Sequence, residues 1–198
     1  MTNLPKCYLA YSHADTDEAM SFVEAFDPQH HFLRFQSEHR IDQDIENCFG
    51  RTELLKKLRE KWLGDTAVTI LLIGNASPAS AEYLDLEIAA SLYEDKSCGR
   101  SGLIGITLPS AANSSQNYVP PRFADNWASG TGYARWYKYP ENLAALQPMI
   151  ADAMDAKNTR AEFVNNQRAL LESRPNSPRQ APVTECPDCP KSPLDQTY

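Results

Sequence analysis

Apolar residues along this chain fall into short runs and spaced stripes, and each pattern predicts a particular element. Ala67 to Ile73 is continuous and β-branched and is closed by Gly74 and Asn75, which predicts a central strand buried on both faces. Gly102 to Leu108, ended by Pro109, predicts another such strand. Cys7 to Tyr11 predicts a shorter first strand that breaks at Ser12-His13-Ala14-Asp15. Phe32 to Phe35 is a weaker strand candidate, and Tyr133 to Tyr139, alternating aromatic with other residues, predicts a last, more exposed one.

Helical spacing fills the intervals. Phe22, Val23 and Phe26 share one helix face, and Leu54, Leu58 and Trp62 predict a helix from Arg51 to Trp62 whose Lys56, Lys57, Arg59 and Lys61 are expected on a solvated side. Ser77 as N-cap and Pro78 as first helical residue predict a helix to about Tyr93. A final helix is expected over about Leu143 to Ala156, with Pro148 either kinking it or serving as its first residue. From Asp27 to Gly50 the signals are poor, and the polar remainder to Asn47 is expected as a long loop or short irregular helix. Ser110 to Asn117 is expected as loop, and Tyr118 to Asn126, which contains Pro120 and Pro121, as irregular. Five strands alternating with helices are the pattern of a three-layer parallel α/β sandwich. Ligands in such sheets bind beyond the carboxyl ends of the strands, where Gly74, Asn75 and the helix after them lie.

That helix carries three acids which its geometry separates. At about 100° per residue, Leu84, Ile88 and Leu92 form the core stripe, and Tyr83, Ala90 and Ser91 cover the sector around Glu87. Glu82 and Asp85 share the remaining side with Tyr93, the expected solvent face. On spacing alone Glu87 reads as a surface carboxylate at the edge of the core stripe. A functional role for it needs a pocket beside it.

Composition narrows the classes. A hydrophobic content of 42% over 198 residues is enough for one ordinary core plus an appendage. No apolar run approaches the roughly 20 residues of a membrane span, and no signal-peptide pattern opens the chain, so a cytoplasmic protein is expected. The net charge of −7 arises entirely before Asn158 and is accompanied by no Lys/Arg cluster, which argues against nucleic acid or an anionic membrane as partner. Five irregularly spaced cysteines do not read as a disulfide framework. Six of the 14 prolines fall in the last 25 residues, which have almost no large apolar side chains and are expected to be a disordered tail over 174–198. Cys186 and Cys189 in that tail form a lone CxxC with no second pair, so free thiols and no metal site are expected.

The strand and loop Tyr8-Leu9-Ala10-Tyr11-Ser12-His13-Ala14-Asp15 resemble the first sequence box of TIR domains. Ser80 to Ile88, with an aromatic residue four positions before a glutamate, resembles the TIR helix that carries the family's motif. Val68 to Gly74, that helix, Gly102 to Ile106, Pro120 to Asn126 and Gly132 to Ala134 occur in the order seen in the TIR-like domains of Thoeris antiphage proteins of the ThsB family. The resemblance covers roughly residues 6–157, expected as one TIR-like domain over 1–157 with a C-terminal helical extension over 158–173. Tyr83 stands where many relatives have tryptophan, and residues 27–50 match poorly.

The resemblance implies a flavodoxin-like sheet of strand order 2-1-3-4-5, whose switch point brings the ends of strands 1 and 3, at Ser12 and Gly74, to one crevice. It implies an NAD glycohydrolase or ADP-ribosyl cyclase that uses NAD as substrate and no cofactor. Glu87 is implied as the catalytic residue, stabilising the oxocarbenium-like charge as the bond from nicotinamide to ribose breaks. Tyr11, Ser12, His13, Asp15, Gly74, Asn75 and Tyr83 are implied as NAD-binding. A surface role for His13 stands equally open. The product is expected to be a cyclic ADP-ribose signal to a separate effector, with TIR–TIR self-association and a phage protein trigger as further partners. The alternatives are a non-catalytic TIR adaptor or sensor, and an enzyme resembling nucleoside deoxyribosyltransferases.

Overall fold

The computed structural model describes residues 4–35, 50–75, 82–96, 98–113, 118–127 and 132–170. Strand β1 (Cys7–Ala10) leads through a 3-10 turn (His13–Asp15) into helix α1 (Thr16–Phe26) and the short edge strand β2 (Leu33–Arg34). Helix α2 (Arg51–Leu58) runs into a π turn (Arg59–Leu63), then β3 (Val68–Ile73) and helix α3 (Glu82–Ser91) follow. Strand β4 (Gly102–Thr107), helix α4 (Pro121–Asn126), strand β5 (Arg135–Tyr137) and helix α5 (Leu143–Thr159) complete the set. The five strands form one sheet in the order β2-β1-β3-β4-β5, and each neighbouring pair is parallel. This is the expected flavodoxin-like, TIR-like α/β sandwich.

Two apolar layers sandwich the sheet because side chains alternate along each strand. Tyr8, Ala10, Leu71 and Ile73 face α2, α3 and α4, packing with Leu54, Leu58, Leu84, Ile88 and Phe123. Cys7, Leu9, Ile70, Leu72 and Ile104 face α1 and α5, packing with Phe22, Phe26, Leu146 and Ile150. Each face of β3 meets helices, which is why its sequence is apolar except for Thr69.

Two sequence expectations need correction, and one alternative left open is decided. Arg59 is not on a solvated face: the chain widens into the π turn there, and the buried guanidinium donates to the Ala90 and Ser91 carbonyls at 3.3 Å and to Ser101 Oγ at 3.2 Å, closing the end of α3. Residues 121–126 are helical because Pro121 occupies the first helical position, where a missing N–H costs nothing. Helix α5 begins at Leu143, where Asn142 Oδ1 accepts from the Ala145 N–H at 3.0 Å, so Pro148 lies inside the helix and is not its first residue.

Beyond α5, the stretch expected as a helical extension is helical to Thr159 and makes one 3-10 turn (Ala161–Phe163). Residues 164–170 carry no regular element, and Val164 and Leu170 pack back onto the α2/α3 layer. The tail over 174–198 with Cys186 and Cys189, the Ser77–Pro78 helix start and most of the 27–50 loop lie outside the described residues. Among the described residues no helix is long and apolar enough to cross a membrane.

Candidate functional site

Strands β1 and β3 are neighbours whose following connections leave in different directions, so a crevice is expected at their carboxyl ends. Ser12 is buried and caps the 3-10 turn, its Oγ accepting from the Ala14 N–H at 3.4 Å. The turn delivers Asp15, 5% exposed, to the end of β3, where its Oδ1 accepts from the Asn75 N–H at 2.9 Å. A Cβ on Gly74 would fall within 2.4–2.6 Å of the Asp15 carboxyl atoms, so a larger residue there would have to displace that carboxyl group. Asp15 Oδ2 has no hydrogen-bond partner among the described residues. Burial raises the Asp15 carboxyl above its ordinary range; the Asn75 N–H opposes the shift and Glu18 adds to it.

Glu87 lies on α3, the helix after β3, and turns inward. It is 0% exposed, and Oε1 accepts from the Tyr8 hydroxyl at 2.5 Å. The surface-carboxylate expectation from helical spacing is therefore corrected: the carboxylate sits between helix and sheet. A buried carboxyl group in such a place requires hydrogen-bond partners, and the Tyr8 hydroxyl supplies one. Burial pushes the Tyr8 phenol well above the ordinary tyrosine value, and the charge of Glu87 and the hydrogen bond to it add to the shift. Tyr11, 3% exposed, is raised by burial and then by the same charge. One buried carboxylate thus bonds the phenol of Tyr8, within β1, and acts electrostatically on that of Tyr11, just after it.

The structure brings Tyr11, Ser12, Asp15 and Gly74 to the carboxyl ends of β1 and β3, and sets Glu87 against Tyr8 of β1 and within electrostatic reach of Tyr11. His13 and Asn75 are exposed on the loops beside them, and Tyr83 is half-buried against the layer that contains Tyr8. Asp15 and Gly74 are in close contact with each other, which fixes the turn after β3. One cleft, about 390 Å³ and lined by Arg51, Tyr93, Arg100 and Asn166, contains none of these residues. Its arginines are already engaged, Arg100 with Glu94 and the Ala161 carbonyl and Arg51 with the carbonyls of Asn166 and Arg168. Among the described residues no group of three or more His, Cys, Asp and Glu could hold a metal ion.

Sequence reasoning missed two things here. Tyr8 carried a signal, since a tyrosine on the buried side of a strand needs a partner for its hydroxyl. Asp85 did not stand on a solvent face: its carboxylate takes both Nε and Nη2 of Arg122 at 2.9 Å, and that arginine is 0% exposed. The wheel placed Asp85 opposite the sheet correctly, but α4 and the chain after α5 cover that side.

The family model described as Thoeris protein ThsB, TIR-like domain, matches residues 8–113. That span runs from Tyr8 through Glu87 to just beyond β4 and leaves α4, β5, α5 and residues 161–170 outside it. No curated protein and no solved structure matches the chain.

Proposed function

This chain belongs to the family of the Thoeris protein ThsB TIR-like domain and is a Thoeris-type TIR-like defence protein; from that membership we propose that it cleaves NAD and cyclises the ADP-ribose moiety. The observation that carries the reading is Glu87: a fully buried carboxylate beside the switch-point crevice, bonded to Tyr8 at 2.5 Å. Hydrophobic residues often replace buried charged groups without loss of stability, so a carboxyl group kept in this core supports a chemical role.

The reaction asks little of the protein. Nicotinamide leaves as a neutral ring, taking the electron pair of its bond to ribose and needing no proton. The ribose is left with oxocarbenium-like charge, which Glu87 faces and stabilises. A hydroxyl or adenine nitrogen of the same molecule then bonds to that carbon and loses its proton where it carries one, giving a cyclic isomer; water in its place gives ADP-ribose. Tyr11, Ser12, His13, Asn75 and Tyr83 line the approach and bind NAD, beside the turn that Asp15 and Gly74 fix. Closure of the carboxylate means that a change of conformation must precede catalysis, which fits an enzyme that waits for a trigger such as a phage protein or self-association. The product acts on a separate effector.

The same closure favours a second reading, in which the domain acts by protein–protein assembly and Glu87 is structural. Mass spectrometry of small molecules from cells expressing the protein, with and without phage infection, separates the two. A new ADP-ribose isomer is expected on infection and is lost in Glu87→Gln, whose rate should fall by about 10²–10³ while the protein stays folded. Wild-type cells without any NAD-derived product, or Glu87→Gln cells with the full amount, would overturn the enzymatic reading.

A further inference from the structure

On its sheet side and at its end α3 is held by apolar packing, by the Tyr8 hydroxyl on Glu87, by the Thr69 and Ser91 hydroxyls at 2.6 Å, and by Arg59 and the Ser101 N–H on its last carbonyls. A second set of directional bonds comes from behind. Asp85 and Ala89 are one turn apart, and at about 100° per residue Glu87 points roughly 160° away from both. On that rear side Arg122 grips the Asp85 carboxylate bidentately at 2.9 Å, and Asn166 Nδ2 donates to the Ala89 carbonyl at 2.9 Å. Arg122 and Asn166 are joined in turn, Nη1 to Oδ1 at 2.9 Å, and Arg122 Nη2 also donates to the Arg168 and Ala169 carbonyls at 3.1 Å.

Residues 164–170 are themselves held along their length. Asn126, 0% exposed, exchanges two hydrogen bonds with the Asn165 backbone, at 2.7 and 2.8 Å. Arg51 donates to the carbonyls of Asn166 and Arg168, and Arg168 pairs with Asp125. The fully buried guanidinium of Arg122 has one carboxylate partner, and its other three bonds go to this stretch. Without residues 164–170, Arg122 would lose those bonds and α3 would keep only the Asp85 half of its rear clamp. None of Arg122, Asn126 or residues 164–170 lies in the span that the family model matches.

We propose that residues 164–170 form a strap that positions Glu87 from behind its helix, with Arg122 and Asn166 as positioning residues. The proposal rests on Glu87 being the catalytic group, and a release of the strap would change activity without touching the crevice.

Asn166→Ala tests it with the full chain, because the lost amide leaves the carboxylate on Arg122. Hydrogen exchange followed by mass spectrometry should show the amides of residues 85–91 exchanging about tenfold faster, with α1 unchanged. The kcat for NAD should fall on the order of 10–100-fold with little change in KM. A chain ending at residue 170 should match wild type, and one ending at residue 163 should match or exceed Asn166→Ala. Unchanged exchange in α3, an equal rise in every helix, or faster α3 exchange at undiminished kcat would each overturn the proposal. If exchange in α3 responds as expected but the wild type makes no NAD-derived product, the strap stands and the catalytic reading of Glu87 falls.

Discussion

Replacing Tyr8 by phenylalanine removes one oxygen and leaves the ring where it packs. The side chain is 1% exposed and its hydroxyl donates at 2.5 Å to a carboxylate that is 0% exposed, so water cannot take the place of the lost donor without opening the layer between α3 and the sheet. A hydrogen bond to a charged group contributes about 1.5–3 kcal/mol, and leaving the charge short of a donor places the cost toward the upper end of that range. We expect Tyr8→Phe to lose about 2–3 kcal/mol, or roughly 4–12 °C in Tm for a chain of this size.

Chemical denaturation of four proteins checks the cause: wild type, Tyr8→Phe, Glu87→Gln and the double variant. With a neutral amide at position 87 the same hydroxyl makes an ordinary bond, so Tyr8→Phe should cost only about 0.5–1.5 kcal/mol there. The coupling between the two sites is then on the order of 1–2 kcal/mol. If Tyr8→Phe cost the same in both backgrounds, or less than about 0.5 kcal/mol in the wild type, the phenol would not be holding a buried charge and the account of Glu87 would be wrong.

Asp85→Asn should not be silent: it strips the charge from the bidentate contact with fully buried Arg122, and thermal or urea unfolding should show a loss of about 2–3 kcal/mol, below the figure for a fully buried pair because the carboxylate is partly exposed. The Asp15 carboxyl is raised by burial in the folded state, so the folded chain binds its proton more tightly and the Asp15 contribution to stability falls as pH rises through that raised value. Asp15→Asn should flatten the profile in that window, and urea midpoints measured across it that decline as steeply as in wild type would contradict the assignment. Deleting residues 174–198 should leave Tm and any NAD turnover nearly unchanged, because the segment is proline-rich with almost no large apolar side chain; a metal-dependent loss of stability would restore a role to Cys186 and Cys189.

The strands were legible because their signal is local. Ala67 to Ile73 is apolar except for Thr69 since β3 has helices on both faces, and Cys7 to Ala10 is short since it breaks into a capped turn at Ser12. Where the chain turns was legible for the same reason, with Gly74 beside Asp15 as the clearest case. Helix ends were less so: Pro121 starts a helix and Pro148 lies inside one, although the same ring chemistry serves at both positions.

By itself the sequence determined the order of elements, the parallel sheet and the angular positions of Glu82, Asp85 and Glu87 on their helix, because these follow from spacing within a few residues. Only the tertiary structure decided what each angle faces. Glu87 meets Tyr8 across 79 positions of chain, and Arg122 meets Asp85 across 37. Asn166 reaches Ala89 across 77. A helical wheel describes a cylinder alone in water, whereas burial belongs to the neighbours that the fold brings up. A carboxylate that reads as surface becomes a buried acid when a strand supplies a phenol in front of it, and the rear of its helix leaves solvent when a distant strap covers it.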